Sequence, residues 1–193
     1  MKRMRKTLIL VGVAIVVCLA NVNAAVLTFE DLDPGYETYA KLPAGYGGFN
    51  WNSSAYWITK YYHPGSGYDY GTIERVSAFT AGAQDISMSN GTFDFNGAYI
   101  TAAWDATENV VVEGWQGGSK IYDTTIVTHN DAPYWFDFNW SDVDTVWFRP
   151  GGSHIAIDNI TYNNIPEPTS LFLLGAGLLA LARSARRRRI QES

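Results

Sequence analysis

Between residues 25 and 165, no stretch of ten or more residues carries the apolar spacing of a helix. Short runs rich in Val, Ile, Thr, Tyr, Phe and Trp recur there instead, separated by turn-forming residues, which is the signature of β-strands. The expected strands cover 26–30, 48–51, 55–58, 74–80, 91–95, 98–104, 108–115, 120–128, 134–139, 144–148 and 155–162. In 133–140, Tyr134, Phe136, Phe138 and Trp140 fall on one face of a strand, and Trp135, Asp137 and Asn139 on the other. The first set is assigned to the core. Residues 104–108 can turn the chain and join 98–104 to 108–115 as a hairpin, and Gln116-Gly117-Gly118-Ser119 turns it again, giving a meander. This many short strands predicts an all-β fold, an antiparallel jelly-roll-like β-sandwich over 25–165, with a closed barrel as the alternative.

Charge is distributed unevenly. Nine of the 14 lysines and arginines lie near the two ends of the chain, which leaves five in the body against 17 acidic residues, a net charge of −12. Polyphosphate is repelled by such a surface, so nucleic acid is excluded as a partner, and divalent cations or neutral sugars fit better. The one cysteine, Cys18, lies in an apolar run near the N-terminus. Val16-Val17 before it lacks the small residue expected at a lipid-attachment site. Removal of that segment would leave the body with no thiol, disulfide or cysteine metal site.

The ends read as addresses. Lys2, Arg3, Arg5 and Lys6 precede an uncharged apolar run over 8–20, and Asn21-Val22-Asn23-Ala24 closes it with a small residue. Residues 1–24 therefore read as a secretory signal peptide, cut after Ala24 by signal peptidase once the secretion machinery has taken the chain. An uncleaved anchor helix is the alternative, but such a run spans only ~20 Å of a ~30 Å hydrocarbon core. At the other end, Pro166-Glu167-Pro168 is followed by an uncharged, leucine-rich segment over 171–182 and then by Arg183, Arg186, Arg187, Arg188 and Arg189. The prolines stop any upstream helix from continuing, and the arginines stay cytosolic because basic flanks resist translocation. Both ends thus put their positive charge inside and the acidic body outside.

This tail, over 166–189, resembles the PEP-CTERM sorting domain of Gram-negative bacteria. The resemblance implies recognition by an exosortase, a membrane protease that acts near Pro166, Glu167 and Pro168. It also implies transient anchoring in the inner membrane, then delivery to the cell surface or the extracellular matrix with its exopolysaccharide. An ordinary C-terminal anchor remains the alternative. The segments 27–32, 45–51 and 156–162 are also similar to secreted domains that carry such tails, which implies a β-sandwich resembling carbohydrate-binding modules.

Two constellations in the body could hold a ligand. Glu30, Asp31 and Asp33 close the first strand and Asp158-Asn159 lies in the last, and these strands are often neighbours in jelly rolls. Their oxygens could converge on a structural calcium ion, with Glu30, Asp31 and Asp158 as carboxylate ligands; turn caps and exposed strand residues are the plainer reading. The segment 56–70 combines rings with a carboxylate in a Pro-Gly-Ser-Gly loop. Trp57, Tyr61, Tyr62, Tyr68 and Asp69 could contact a glycan there, since CH groups stack on rings and a carboxylate accepts hydroxyl hydrogen bonds. Packing is the competing role. Trp115 and Trp135 are weaker candidates.

Catalysis has little support. His63, His129 and His154 lack metal-ligand spacing, and no serine sits in an activating motif. A polysaccharide hydrolase would need two placed carboxylates, which 17 acidic residues neither specify nor forbid. The expectation is a non-catalytic glycan-binding protein of the cell surface, with a structural envelope or matrix protein as the alternative.

Overall fold

The computed structural model describes residues 24–164 and, beyond them, Gly177 alone. Residues 1–23 of the expected signal peptide, the Pro166-Glu167-Pro168 motif and the rest of the 171–182 segment lie outside the described residues.

Ten strands form the body: β1 (Ala25–Leu27), β2 (Tyr39–Lys41), β3 (Asn50–Trp51), β4 (Ala55–Thr59), β5 (Val76–Thr80), β6 (Ile86–Ala102), β7 (Thr107–Gln116), β8 (Ser119–His129), β9 (Trp135–Pro150) and β10 (Ile155–Asn164). A one-turn helix, α1 (Gly67–Gly71), stands between β4 and β5. Every pairing is antiparallel, as expected of an all-β chain. The hydrogen-bonded order is β2-β4-β5-β10-β6-β9-β7-β8, with β1 on β10 and β3 on β6. The order is open, since β2 and β8 do not pair.

The expected strands 91–95 and 98–104 merge into the 17-residue β6, and 134–139 and 144–148 merge into the 16-residue β9. Their ladder runs from Ile86↔Phe148 to Tyr99↔Trp135 through three register shifts. Such irregularities bend long strands and let them pass from one layer to another. The C-terminal part of β6 joins β10, β5, β4 and β2, while its N-terminal part lies beside β3 and β9, and β9 carries β7 and β8. Inward residues of both parts share one core: Val76, Ala78, Ile155 and Ile157 with Ile86, Val110, Val112 and Phe148. The architecture is thus sandwich-like, built from one continuous sheet.

The meander needs correcting. β7 and β8 form the expected hairpin, from Thr107↔His129 to Gln116↔Ser119. β6 and β7 do not pair; β7 takes β9 as its other neighbour. The turn at 104–108 exists, but both edges of β6 are already filled by β10 and β9. First and last strands do lie side by side, Ala25 opposite Tyr162 and Leu27 opposite Ile160. The alternation in β9 faces as expected for Phe136 and Phe138, packed against the core, Trp140, buried within it, and Trp135, exposed. Tyr134 is the exception, lying before β9 with its ring against His129 and its hydroxyl donated to Asp131 rather than in the core.

Candidate functional site

The period of two sends alternate residues of the β4-β5-β10 layer to opposite faces. Ala55 and Trp57, Val76 and Ala78, and Ile155 and Ile157 enter the main core. Ile58, Phe79 and Ala156 face the other way and, with Tyr68 and Ala103, form a second apolar cluster against which Tyr56 and Tyr62 pack. Register aligns part of it across three strands, since Phe79 stands opposite both Tyr56 and Ala156.

Segment 60–71 covers this second face. The Ser66 hydroxyl donates to the His63 carbonyl at 2.6 Å and accepts from the Tyr68 N–H at 3.3 Å, which starts α1. Asp69 accepts from the Gly65 N–H at 3.0 Å and so closes the Pro-Gly-Ser-Gly loop. Gly67 donates its N–H to the Ala103 carbonyl at 2.8 Å. A Cβ at Gly67 would run into the Ala102 carbonyl, and one at Gly71 into the Thr101 side chain. These two glycines let the helix backbone rest directly on the end of β6.

Between this cover and the sheet lies a cavity of about 480 Å³ lined by Tyr39, Tyr56, Tyr62, Tyr68, Phe79 and Trp104, by His63 and His154, and by Ile58, Ala81 and Gly82. The rings brace one another. Tyr68 stands edge-on to Phe79 at 5.5 Å and to Trp104 at 5.4 Å, His63 edge-on to Trp104 at 4.9 Å, and Tyr39 edge-on to Tyr62 at 5.1 Å. Tyr39 and Trp104 stay 48% and 45% exposed, so the rim presents ring surface to solvent. The lining holds no carboxylate, in a body that is otherwise strongly acidic.

Two polar groups inside are set by each other. The Tyr68 hydroxyl and His154 Nδ1 are 2.7 Å apart. Burial raises the Tyr68 pKa, so its hydroxyl keeps its proton. Burial, and then the nearby His63, lowers that of His154, so its ring is neutral at pH 7. Tyr68 therefore donates to Nδ1, which leaves the imidazole proton on Nε2, on the Gly82 side of the cavity. The site offers ring faces, tyrosine hydroxyls and one oriented N–H donor.

Of the residues singled out in the sequence, Tyr62 and Tyr68 line the cavity. Trp57, which neighbours Tyr56, points to the opposite face and is 9% exposed in the main core, leaving little ring surface for a ligand. Tyr61 is half exposed outside the lining, its ring 5.8 Å from Lys60 Nζ. Asp69 serves the loop. No sequence pattern points to Tyr39, Phe79, Trp104 or His154 as ligand contacts. Alternation along 55–59 separates Tyr56 from Trp57, but no local signal brings Trp104 and His154 to that face.

β1 stops at Leu27, short of the expected 26–30, so Glu30 and Asp31 lie in the 3-10 turn Glu30–Leu32 that follows it rather than in the strand. They, Asp33 and Asp158 are each engaged by their own donors. Glu30 accepts from the N–H groups of Arg75 and Val76 at 3.0 and 2.9 Å. Asp31 accepts from the Tyr46 hydroxyl at 2.5 Å, and Asp33 pairs with Arg75 at 2.6 Å. Asp158, 1% exposed, accepts from Ile73 N–H at 2.8 Å and Asn159 N–H at 2.7 Å. Its pKa is pushed up to about 7 by burial, and by the carboxylates of Glu30 and Glu74, despite those two donors. Among the described residues, no three His, Cys, Asp or Glu side chains are grouped to hold a metal ion.

No curated protein matches the chain. Among solved structures it is similar, at 9% identity and a TM-score of 0.35, to the CBM22-1–GH10 modules of the Clostridium thermocellum N-terminal endo-1,4-beta-D-xylanase 10B complexed with xylohexaose. The match covers 68% of this chain and 29% of that one, a likeness too distant to carry an argument about the site. The tail is a different matter: residues 164–189 match the PEP-CTERM protein-sorting motif, which marks the chain as an exported protein sorted by an exosortase.

Proposed function

We propose that this exported, exosortase-sorted protein is a non-catalytic module of the cell surface or extracellular matrix, and that it binds a neutral glycan of an extracellular polysaccharide in the ring-lined cavity. Transient anchoring in the inner membrane would precede release near Pro166-Glu167-Pro168. The observation that carries the reading is the lining itself: six phenol, phenyl or indole rings and two imidazoles around about 480 Å³, with rim rings open to solvent.

Ring faces stack on sugar CH groups, while the tyrosine hydroxyls and His154 Nε2–H hydrogen-bond to hydroxyl oxygens. A net charge of −12 on the body disfavours polyanionic chains and leaves neutral ones unaffected. A cavity wall without carboxylates has no pair of acids for glycosidic hydrolysis, which supports binding rather than cleavage.

Titration with neutral oligosaccharides and with the extracellular polysaccharide of the producing cells, followed by tryptophan fluorescence, tests this. Saturable binding is expected, weakened roughly tenfold by Trp104→Ala or Tyr62→Ala, about the loss of one stacked ring. Tyr61→Ala should leave it intact. Absence of saturable binding, or equal loss in Tyr61→Ala, would refute the assignment.

A further inference from the structure

The sheet has one long open edge. It ends in β2 on one side and β8 on the other; β2 has three residues and β8 eleven. β7 fills the inner edge of β8 in unbroken register from Thr107↔His129 to Gly114↔Tyr122. Among the described residues no strand pairs with its outer edge. Exposed edges template strand addition, and proteins blunt them with shortness, proline, bulges or lysine. Between Ile121 and Val127, β8 has no proline, no lysine and, from Tyr122 on, no break in register. Ile121 and Val127 are 41% and 52% exposed.

The strand is also complementary to itself. With a second β8 antiparallel and Thr124 opposite Thr124, Ile121 faces Val127 and Tyr122 faces Ile126, each pair occurring twice. Asp123 then faces Thr125, so no like charges stand opposed between 121 and 127; Thr128, buried with its hydroxyl donated to the Ile100 carbonyl, ends the free stretch. Ile121 and Val127 share the solvent face, while Tyr122 and Ile126, packed against the core, would continue the core face across the junction. Other registers are worse. A one-residue slip turns the core face of one copy outward. A two-residue slip one way puts Asp123 against Asp123, and the other way puts Ile121 against His129.

We propose that β8 pairs antiparallel with β8 of a second copy of this chain, centred on Thr124, so that the two sheets become one. The surface is independent of the cavity, and the pairing holds whatever the ligand. Because each body carries −12, the two copies repel at long range, and salt strengthens the association by screening.

The test is cysteine cross-linking of the full chain in the cells that make it, with the one native cysteine removed as Cys18→Ser. Opposed Cα atoms in an antiparallel ladder are ~4.5–5.5 Å apart, within disulfide reach. Thr124→Cys should give a reductant-sensitive dimer on mild oxidation. Adding Ile121→Lys should abolish it, because the lysine meets Val127 of the other copy, and adding Val127→Glu to that variant should restore it. A chain that stays monomeric, a cross-link to a different protein, or a loss that Val127→Glu does not restore would overturn the proposal.

Discussion

Raising the pH from 5 to 8 should weaken the fold, and Asp158 should be the cause. Its carboxyl is 1% exposed, and its two N–H donors do not outweigh burial beside Glu30 and Glu74. In the folded protein it takes up its proton near pH 7, against 3.8 for an ordinary aspartate. Between those values the folded state binds more protons than the unfolded state, so stability falls as pH rises and levels off above the folded pKa. The full shift is worth about 4 kcal/mol, of which about 2.5 kcal/mol falls between pH 5 and 8. For a domain of this size that is a drop in midpoint of roughly 8–12 °C. Asp158→Asn removes the titration and nearly keeps the shape. Its amide must turn an N–H toward one of the two backbone donors, a cost of about 1 kcal/mol that does not vary with pH. The lowered pKa of His154 acts in the opposite sense, adding stability as pH rises toward the ordinary histidine range, but equally in both proteins. Urea or thermal denaturation across this range should therefore give a difference between wild type and variant that shifts toward the variant by about 2.5 kcal/mol. Parallel curves would refute the reasoning.

Gly67→Ala should destabilise the domain by about 1–3 kcal/mol and weaken glycan binding, because the new methyl group meets the Ala102 carbonyl and lifts α1 from the sheet; a melt and a titration check both. Calcium should leave the melting midpoint where a chelator leaves it, since Glu30, Asp31 and Asp158 are each engaged by protein donors; a higher midpoint in calcium would mean that these carboxylates reorganise around the ion. Mass spectrometry of the surface form should find neither residues 1–24 nor the arginine cluster at 183–189, and an intact tail there would exclude processing near Pro166-Glu167-Pro168.

Much of the local structure was legible in the sequence because it rests on neighbours in the chain. The faces of β9 follow from Phe136, Phe138 and Trp140 alternating with Trp135 and Asp137, and the β7–β8 hairpin follows from the turn at 116–119. The loop ending at Gly67 was visible too, but not the helical turn after it, which depends on Ala103 accepting from the Gly67 N–H. Strand lengths were underestimated where polar residues such as Ser87 and Ser89 interrupt the pattern, because β6 continues there on hydrogen bonds to β9.

The sequence by itself determined an acidic, strand-built body followed by a sorting motif at 164–189, since hydropathy, charge and turn chemistry are properties of short stretches. The tertiary structure alone decided that Trp57 is core while Tyr62, Trp104 and His154 share a cavity. It also decided that 98–104 pairs with β10 and β9 rather than with β7. Those outcomes depend on which strands compete for each edge and which face each buries. That competition involves residues as distant as Tyr39 and His154, and no local window of sequence contains both.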